Sequence, residues 1–245
     1  MAGHSKWSNI KHRKAKADAQ KGKVYTKFSK LIIIAAKEGG ADPNNNFKLK
    51  DLIDKAKAAN MPNDNILRAI KRGSGELGGA DFEEIIYEGY GPCGVAIMVD
   101  AATDNRNRTA GDMRHLFDKN GGNLGETGGV AWMFDKKGLI VVEKSDDIDI
   151  DDLMLLAIDA GADDVEEEED IIEIVTEVEH LEIVKKALQE ADIELLSAEI
   201  AYLPKTMTSV SGDDSEKVER LLEVLEDHDD VQNVYTNYEP ADDEG

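Results

Sequence analysis

Cysteine and long apolar runs are almost missing from this sequence of 245 residues. Cys93 is the only cysteine, so the chain has no disulfide framework of the kind that small secreted proteins use. The longest strongly apolar run, at 31–36, is far shorter than the roughly 18 to 20 residues that cross a bilayer. No apolar signal segment with a small-residue cleavage site opens the sequence. We therefore expect a cytoplasmic protein that does not bind membranes.

Positive charge is also scarce, and it is unevenly placed. The 29 Lys and Arg residues stand against 52 Asp and Glu residues, for a net charge of −23. Residues 1–75 hold 17 basic and 6 acidic residues, whereas residues 145–245 hold 5 basic and 34 acidic residues. A basic part of the kind that contacts phosphate backbones therefore precedes an acidic part that repels them.

Helical periodicity dominates the basic part. One helix face is predicted from apolar residues at the spacings i, i+4, i+7, i+8 and i+11, namely Val24, Phe28, Leu31, Ile32 and Ala35. Two more helices are predicted before Gly73, the last with Ile66, Leu67 and Ile70 on its buried face. The glycine-rich segment 73–79 is typical of a linker. We place a basic helical nucleic-acid-binding domain at 1–77.

Beyond the linker, the apolar period changes to that of strands. Segment 138–203 predicts the element order β-α-β-β-α-β, which is the ferredoxin-like arrangement. Segment 80–135 predicts β-β-α-β, with its last strand at 130–134, and lacks a second helix to cover its sheet. A helix and a strand predicted after Pro204 would supply the missing parts.

The predicted fold class is therefore α+β, with three domains. An N-terminal helical domain is followed by two ferredoxin-like α/β domains, one inserted in the other. The first of these is discontinuous and comprises 78–135 and 205–240. The second, at 136–204, is acidic and lies within the first.

One acidic stretch invites a metal hypothesis. Its acids have the first spacings of a calcium loop and are Asp147, Asp149 and Asp151. The sixth and twelfth positions of that loop require Gly and Glu, but here they are Asp152 and Ile158. The stretch is therefore better explained as a solvated charged surface, and we expect no metal site.

Motifs for catalysis are equally weak. The glycine-rich segment 121–125 follows a helix and precedes a strand, the reverse of the order in a phosphate-binding loop. Cys93 lies in a Gly/Pro turn with no histidine nearby in the sequence. We therefore expect a protein that is not an enzyme, with no catalytic residue, no cofactor and no small-molecule substrate.

The basic N-terminal segment is the best candidate site. Its cations are interleaved with histidines and aromatic rings, a combination that suits phosphates and unstacked bases. Packing on the helices is the alternative role for Trp7 and Phe28. The nucleic-acid-binding residues that we predict in this segment are His4, Lys6, Trp7, Lys11, Arg13, Lys14, Lys16, Lys21, Lys23 and Lys27.

A second candidate lies in segment 103–109, at the predicted start of a helix. Arg106 and Arg108 combine there with free backbone N–H groups, which suits an anion. Plain capping of the helix by Asp104 or Thr109 explains the same residues equally well. We add Arg106 and Arg108 to the predicted nucleic-acid-binding residues.

These residues resemble the YebC family over essentially the whole chain. The most specific matching motifs lie at 1–7, 21–23, 87–92, 104–109 and 121–125. The resemblance implies a helical N-terminal domain and two α/β domains, one inserted within the other. It also implies a regulator of gene expression, because family members are described as DNA-binding transcriptional regulators. Others look like ribosome-associated translational activators that relieve stalling at proline-rich stretches.

The partner expected from the residues is nucleic acid, either DNA or ribosomal RNA. Phosphate contacts do not distinguish the two. RNA is favoured because no recognition helix with base-reading side chains is evident. The acidic C-terminal region suits ribosomal or other basic proteins. A third hypothesis is that residues 145–245 mimic nucleic acid and compete for a basic surface.

Overall fold

The computed structural model describes residues 21–78, 81–145 and 148–241. Within these residues the chain forms two compact units, of which the first covers 21–130 and 212–234 and the second covers 131–211 and 235–241. Helices come first and antiparallel sheets follow. The prediction of a mixed α+β fold with N-terminal helices is therefore confirmed.

Three helices open the first unit: α1 (Lys21–Gly39), α2 (Phe47–Ala58) and α3 (Asn63–Gly73). Their apolar faces share one core, which includes Ile32, Leu49, Ile53, Ile66 and Ala69. Asn46 fixes the start of α2, since its side chain accepts a hydrogen bond from Leu49 N (3.0 Å) and donates one to the Ala35 carbonyl (2.7 Å). Phe28 packs against this core, so packing on the helices is the role that the structure gives it.

Leu67 departs from the sequence prediction. Its side chain is 55% exposed, while Ile66 and Ala69 bury the inward face of α3. α3 approaches α1 closely at Gly73, where a Cβ atom would collide with the Ile33 carbonyl. Leu67 lies about 100° around the helix from Ile66, beyond this contact.

The first unit also contains a four-stranded sheet with two helices. Its elements are β1 (Glu83–Tyr90), β2 (Ala96–Thr103), α4 (Arg106–Lys119), β3 (Asn123–Leu124), α7 (Gly212–Glu226) and β9 (Val231–Thr236). The strand order is β3–β1–β2–β9. Strands β1 and β2 form an antiparallel hairpin that runs from the pair Glu83–Thr103 to the pair Tyr90–Ala96. Buried side chains of α4 and α7 complete the core, among them Met113, Phe117, Val218 and Leu221.

Two predictions for this sheet are wrong. The strand predicted at 130–134 is instead a 3-10 turn at Ala131–Met133, and Phe134 begins a strand of the other sheet. The first sheet also lacks ferredoxin-like chain order, because the short 91–95 connection between β1 and β2 holds only a 3-10 turn, Pro92–Gly94, where a ferredoxin-like unit has an α-helix. So short a connection can join only antiparallel neighbours.

The second unit contains the other four-stranded sheet. Its elements are β4 (Phe134–Glu143), α5 (Ile150–Asp159), β5 (Ala162–Glu167), β6 (Ile171–Thr176), α6 (Leu181–Glu190), β7 (Leu195–Pro204), β8 (Thr208–Val210) and β10 (Tyr238–Pro240). The strand order is β5–β6–β4–β7, with antiparallel pairing throughout. Helices α5 and α6 pack their apolar faces on this sheet around Ile140, Leu153, Ile172 and Leu188. Strands β8 and β10 form a separate parallel pair.

Candidate nucleic-acid interface

The lysines of α1 bind the end of another helix. Lys23, Lys27 and Lys30 are spaced i, i+4 and i+7, so they share one face of α1. Lys23 Nζ donates to the Asp227 carbonyl (3.0 Å) and Lys27 Nζ to the Glu226 carbonyl (3.1 Å). These carbonyls lie at the C-terminal end of α7, where a helix carries partial negative charge and attracts cations. Two of the predicted nucleic-acid-binding lysines, Lys23 and Lys27, therefore form hydrogen bonds within the first unit.

Lys30 makes the deepest of these contacts. Its side chain is 9% exposed, and its Nζ donates to the Asp229 carbonyl (2.9 Å) and to Asp230 Oδ1 (2.6 Å). The other carboxylate oxygen of Asp230 accepts from Arg108 Nη2 and from Thr109 Oγ1, each at 2.8 Å. Asp230 thus joins α1 to the start of α4 through one buried ionic network.

This network determines the protonation of Asp230. Burial favours the neutral form, but hydrogen bonds from Lys30, Arg108 and Thr109 outweigh it and hold the pKa of the carboxyl well below its usual range. The hydrogen bond from Arg108 in turn raises the pKa of that guanidinium. Asp230 and Arg108 are therefore both charged at neutral pH.

The start of α4 is capped by a residue that the sequence prediction did not choose. Asn105 is the N-cap, and its side chain accepts a hydrogen bond from Arg108 N (3.1 Å). Asp104 instead pairs with the Arg108 guanidinium (3.0 Å), and Thr109 binds Thr103 and Asp230. The prediction of a cap at Asp104 or Thr109 is therefore wrong, because both side chains have partners within the network.

The two arginines of this segment differ in their surroundings. Arg108 is 47% exposed and lies against both Asp104 and Asp230, so two carboxylates neutralise it. Arg106 is 61% exposed, and its nearest acidic partner is Glu83 at 3.8 Å. Arg106 is the more accessible cation.

The remaining predicted residues lie outside the described part of the chain. They are His4, Lys6, Trp7, Lys11, Arg13, Lys14 and Lys16, together with the side chain of Lys21.

The glycine-rich segment near 121–130 is held by a buried acid. Glu88 is 4% exposed, and its carboxylate accepts from the backbone N–H groups of Gly128 (2.7 Å) and Val130 (2.9 Å). The Gly125 N–H donates to the Glu88 carbonyl (2.8 Å). These amides are therefore bound within the protein, and they do not form a cradle for a phosphate.

The other candidates from the sequence have structural partners. Asp149 caps α5 by accepting from Asp152 N (3.1 Å), while Asp147 lies outside the described residues. The Cys93 thiol lies 3.3 Å from Asp214, and this hydrogen bond raises the pKa of the thiol. In the described ranges, no three His, Cys, Asp or Glu side chains are grouped as metal ligands would be. No described helix is both long and apolar enough to span a bilayer.

Sequence reasoning missed a set of accessible cations on α3. Arg68, Lys71 and Arg72 are all exposed. Across the described ranges 21–78, 81–145 and 148–241, none of the three has an acidic group within ion-pair distance. The signal was available, because their i, i+3, i+4 spacing places them opposite the buried Ile66 and Ala69.

Comparison with known proteins covers nearly the whole chain. The family model for the TACO1/YebC protein N-terminal domain matches residues 5–76, and that for the TACO1/YebC second and third domain matches residues 82–238. A relative from Pelotomaculum thermopropionicum is 58% identical over 99% of this chain and 100% of its own length. A second, from Thermoanaerobacter pseudethanolicus, is 58% identical over 99% of this chain and 98% of its own. Both are named probable transcriptional regulatory proteins.

A solved structure agrees with this match. The crystal structure of a conserved hypothetical protein from Aquifex aeolicus superimposes with a TM-score of 0.85 at 44% sequence identity. The superposition covers 94% of this chain and 95% of the other.

Proposed function

Since this chain belongs to the TACO1/YebC family, as the resemblance predicted, we propose that it is a nucleic-acid-binding regulator of gene expression. The observation that carries this proposal is the charge distribution, with 17 basic and 6 acidic residues in 1–75 against 5 and 34 in 145–245. Its relatives' name, probable transcriptional regulatory protein, supports DNA as the target. We propose a cytoplasmic, non-enzymatic role that needs no cofactor.

The proposed contacts lie in the basic N-terminal segment. Lysine and arginine side chains bind phosphates by replacing condensed counterions, so affinity falls as salt rises. Because Lys23 and Lys27 hold the end of α7, the proposal rests more on the cations that precede them. Those cations are Lys6, Lys11, Arg13, Lys14, Lys16 and Lys21, with His4 and Trp7 as companions. Arg106 is a second contact, and Arg108 contributes less because Asp104 and Asp230 pair with it.

The first test replaces Lys11, Arg13, Lys14 and Lys16 together by Ala. We expect binding of duplex DNA and of folded RNA to weaken by about 3 kcal/mol at low salt, regardless of sequence, and the salt dependence to flatten. The control replaces four cations of the acidic region 145–245 by Ala, so it changes the net charge by the same amount as the first variant. These cations are Lys185, Lys186, Lys205 and Lys217. Wild-type affinity in the first variant would contradict the proposal.

A second candidate function is translational activation on the ribosome, including relief of stalling at proline-rich stretches. The strongly acidic region 145–245 favours this role. Its 34 Asp and Glu residues suit a position beside basic ribosomal proteins better than a position along protein-free duplex DNA. Ultraviolet crosslinking in cells, followed by sequencing of the attached nucleic acid, separates the two. Reads on a few ribosomal RNA segments would support translation, and reads at promoters would support transcription.

We also propose that the chain has three domains. The β-α-β-β-α-β order of 134–204 and its β5–β6–β4–β7 sheet support an inserted ferredoxin-like domain. The place of β9 beside β2 supports a discontinuous domain formed by 78–135 and 205–240. The helices within 1–77 would be the third. Limited proteolysis that cuts near 78 and near 136 and 204 would support these boundaries.

A further inference from the structure

One face of α3 points away from the core and is basic. Ile66 and Ala69 are 3% exposed and pack into the helical core. On the opposite side, Arg68, Lys71 and Arg72 are exposed at positions i, i+3 and i+4. We call these three residues the α3 cation set. The only acid on α3 is Asp64, at the first turn.

The α3 cation set differs from the lysines of α1 in its partners. Lys23, Lys27 and Lys30 donate hydrogen bonds to the end of α7, so their ammonium groups already have acceptors within the protein. The α3 cation set, by contrast, has no ion pair with any residue that the structure describes. Its charges are therefore available to an external anion without loss of a contact to any described residue.

The geometry of α3 suits a fixed binding surface. At Gly73 the backbone of α3 lies so close to the Ile33 carbonyl that a Cβ atom would collide with it, so α3 packs directly on α1. Two of the three cations are arginines, whose planar guanidinium groups bind phosphate with two parallel hydrogen bonds. The helix rises about 6 Å from residue 68 to residue 72, so the three groups form one short basic strip.

We propose that the α3 cation set binds the phosphate backbone of nucleic acid, as a contact separate from the N-terminal segment. This inference rests on the proposed function, because it names a second surface for the same partner. The contact is independent of sequence, since phosphates carry no base identity. It holds the helices of the first unit in a fixed orientation on the backbone.

The test compares two triple variants that change the net charge equally. The first is Arg68→Ala, Lys71→Ala and Arg72→Ala. The control is Lys50→Ala, Lys55→Ala and Lys57→Ala, which removes three cations from α2 in the same unit. Alanine is a good helix former and the replaced side chains are not buried, so both variants should fold. Circular dichroism and melting curves verify this.

Binding is measured by fluorescence anisotropy with a labelled duplex DNA and a labelled RNA hairpin at several salt concentrations. Each lost phosphate contact lowers the slope of log affinity against log salt by about 0.9 on duplex DNA. We therefore expect the α3 triple variant to lose about 2 to 3 units of slope and about 100- to 500-fold in affinity at about 0.1 M salt. The control should keep most of both. Arg68→Lys with Arg72→Lys retains the charges and should keep the slope.

The N-terminal quadruple variant, measured alongside, separates the two proposals. Loss of binding in the quadruple variant with wild-type binding in the α3 variant overturns this inference and leaves the proposed function standing. Equal losses in the α3 variant and its α2 control also overturn it, since only total charge would then matter. Wild-type binding in both the quadruple and the α3 variants overturns the inference together with the proposed site.

Discussion

Replacing Asp230 should destabilise the first unit severely. The carboxylate is 6% exposed and accepts hydrogen bonds from two helices, from Lys30 on α1 and from Arg108 and Thr109 on α4. Asp230→Asn keeps the shape of the side chain but removes its charge. Lys30, itself 9% exposed, is then left as a buried cation without its counterion.

The magnitude follows from that uncompensated charge. Removing one partner of a buried ion pair costs about 3 to 5 kcal/mol, far more than breaking a surface pair. Lys30→Met should cost less, about 1 to 3 kcal/mol, because Asp230 retains Arg108 and Thr109. The double variant should cost less than the sum of the two, by about 1 kcal/mol or more, because the residues share one network.

The assay is urea unfolding at neutral pH, followed by circular dichroism, with the free energy of unfolding obtained by linear extrapolation. The pH dependence gives an independent check. Since folding lowers the pKa of Asp230, its contribution is complete above the unfolded value of about 4 and is lost as pH falls further. The stability difference between the wild type and Asp230→Asn should therefore begin to shrink below about pH 4 and close only as pH falls through the much lower folded pKa.

Two results would refute this reasoning. A cost below about 1 kcal/mol for Asp230→Asn would mean that water reaches Lys30 and replaces the carboxylate. Additive effects of Lys30→Met and Asp230→Asn would mean that the two side chains do not interact.

Two further predictions concern glycine and cysteine. Gly111→Ala should stabilise the protein by about 0.5 to 1 kcal/mol, because the site in α4 is exposed and open. Gly138→Ala should instead destabilise the protein by about 1 to 3 kcal/mol, because a Cβ atom there meets Leu181 and Thr176. Thermal melts of both variants check the opposite signs. The raised pKa of Cys93 should slow its alkylation by iodoacetamide near pH 8. Asp214→Asn should speed that reaction, whereas the neighbouring Asp213→Asn should not, and equal rates in all three proteins would exclude the hydrogen bond in solution.

Local patterns predicted much of this fold. Three residues of the stripe predicted on α1, Phe28, Ile32 and Ala35, pack in the helical core, whereas Val24 and Leu31 are not among the core residues. The strand and helix periods of 138–203 match the observed order of elements. Segment 130–134 was predicted as a strand because it is apolar, and its two end residues, Val130 and Phe134, are indeed buried. Burial of the two ends of a short apolar segment does not distinguish a strand from a turn between two elements.

The site was less predictable, since its contacts join distant parts of the chain. Nothing near Lys30 in the sequence indicates that its counterion is Asp230, 200 positions away. Lys23 and Lys27 therefore looked like solvent-exposed cations, although they bind backbone carbonyls at the C-terminal end of α7. The α3 cation set was missed for a simpler reason, because Leu67 was assigned to the core and the helix seemed to have a wider apolar face than it has.

The distance along the chain between Lys30 and Asp230 has a consequence for biosynthesis. A ribosome makes α1 early, yet the carboxylate that neutralises Lys30 emerges only when nearly all of the protein has been translated. Strand β9, which completes the first sheet beside β2, arrives at the same late stage. The N-terminal helices can pack on one another early, but the contact of α1 with Asp230 forms only at the end, and contacts of such long sequence separation make folding slow. In a nascent chain stopped before Asp230, α1 should be more sensitive to protease than it is in the released full chain.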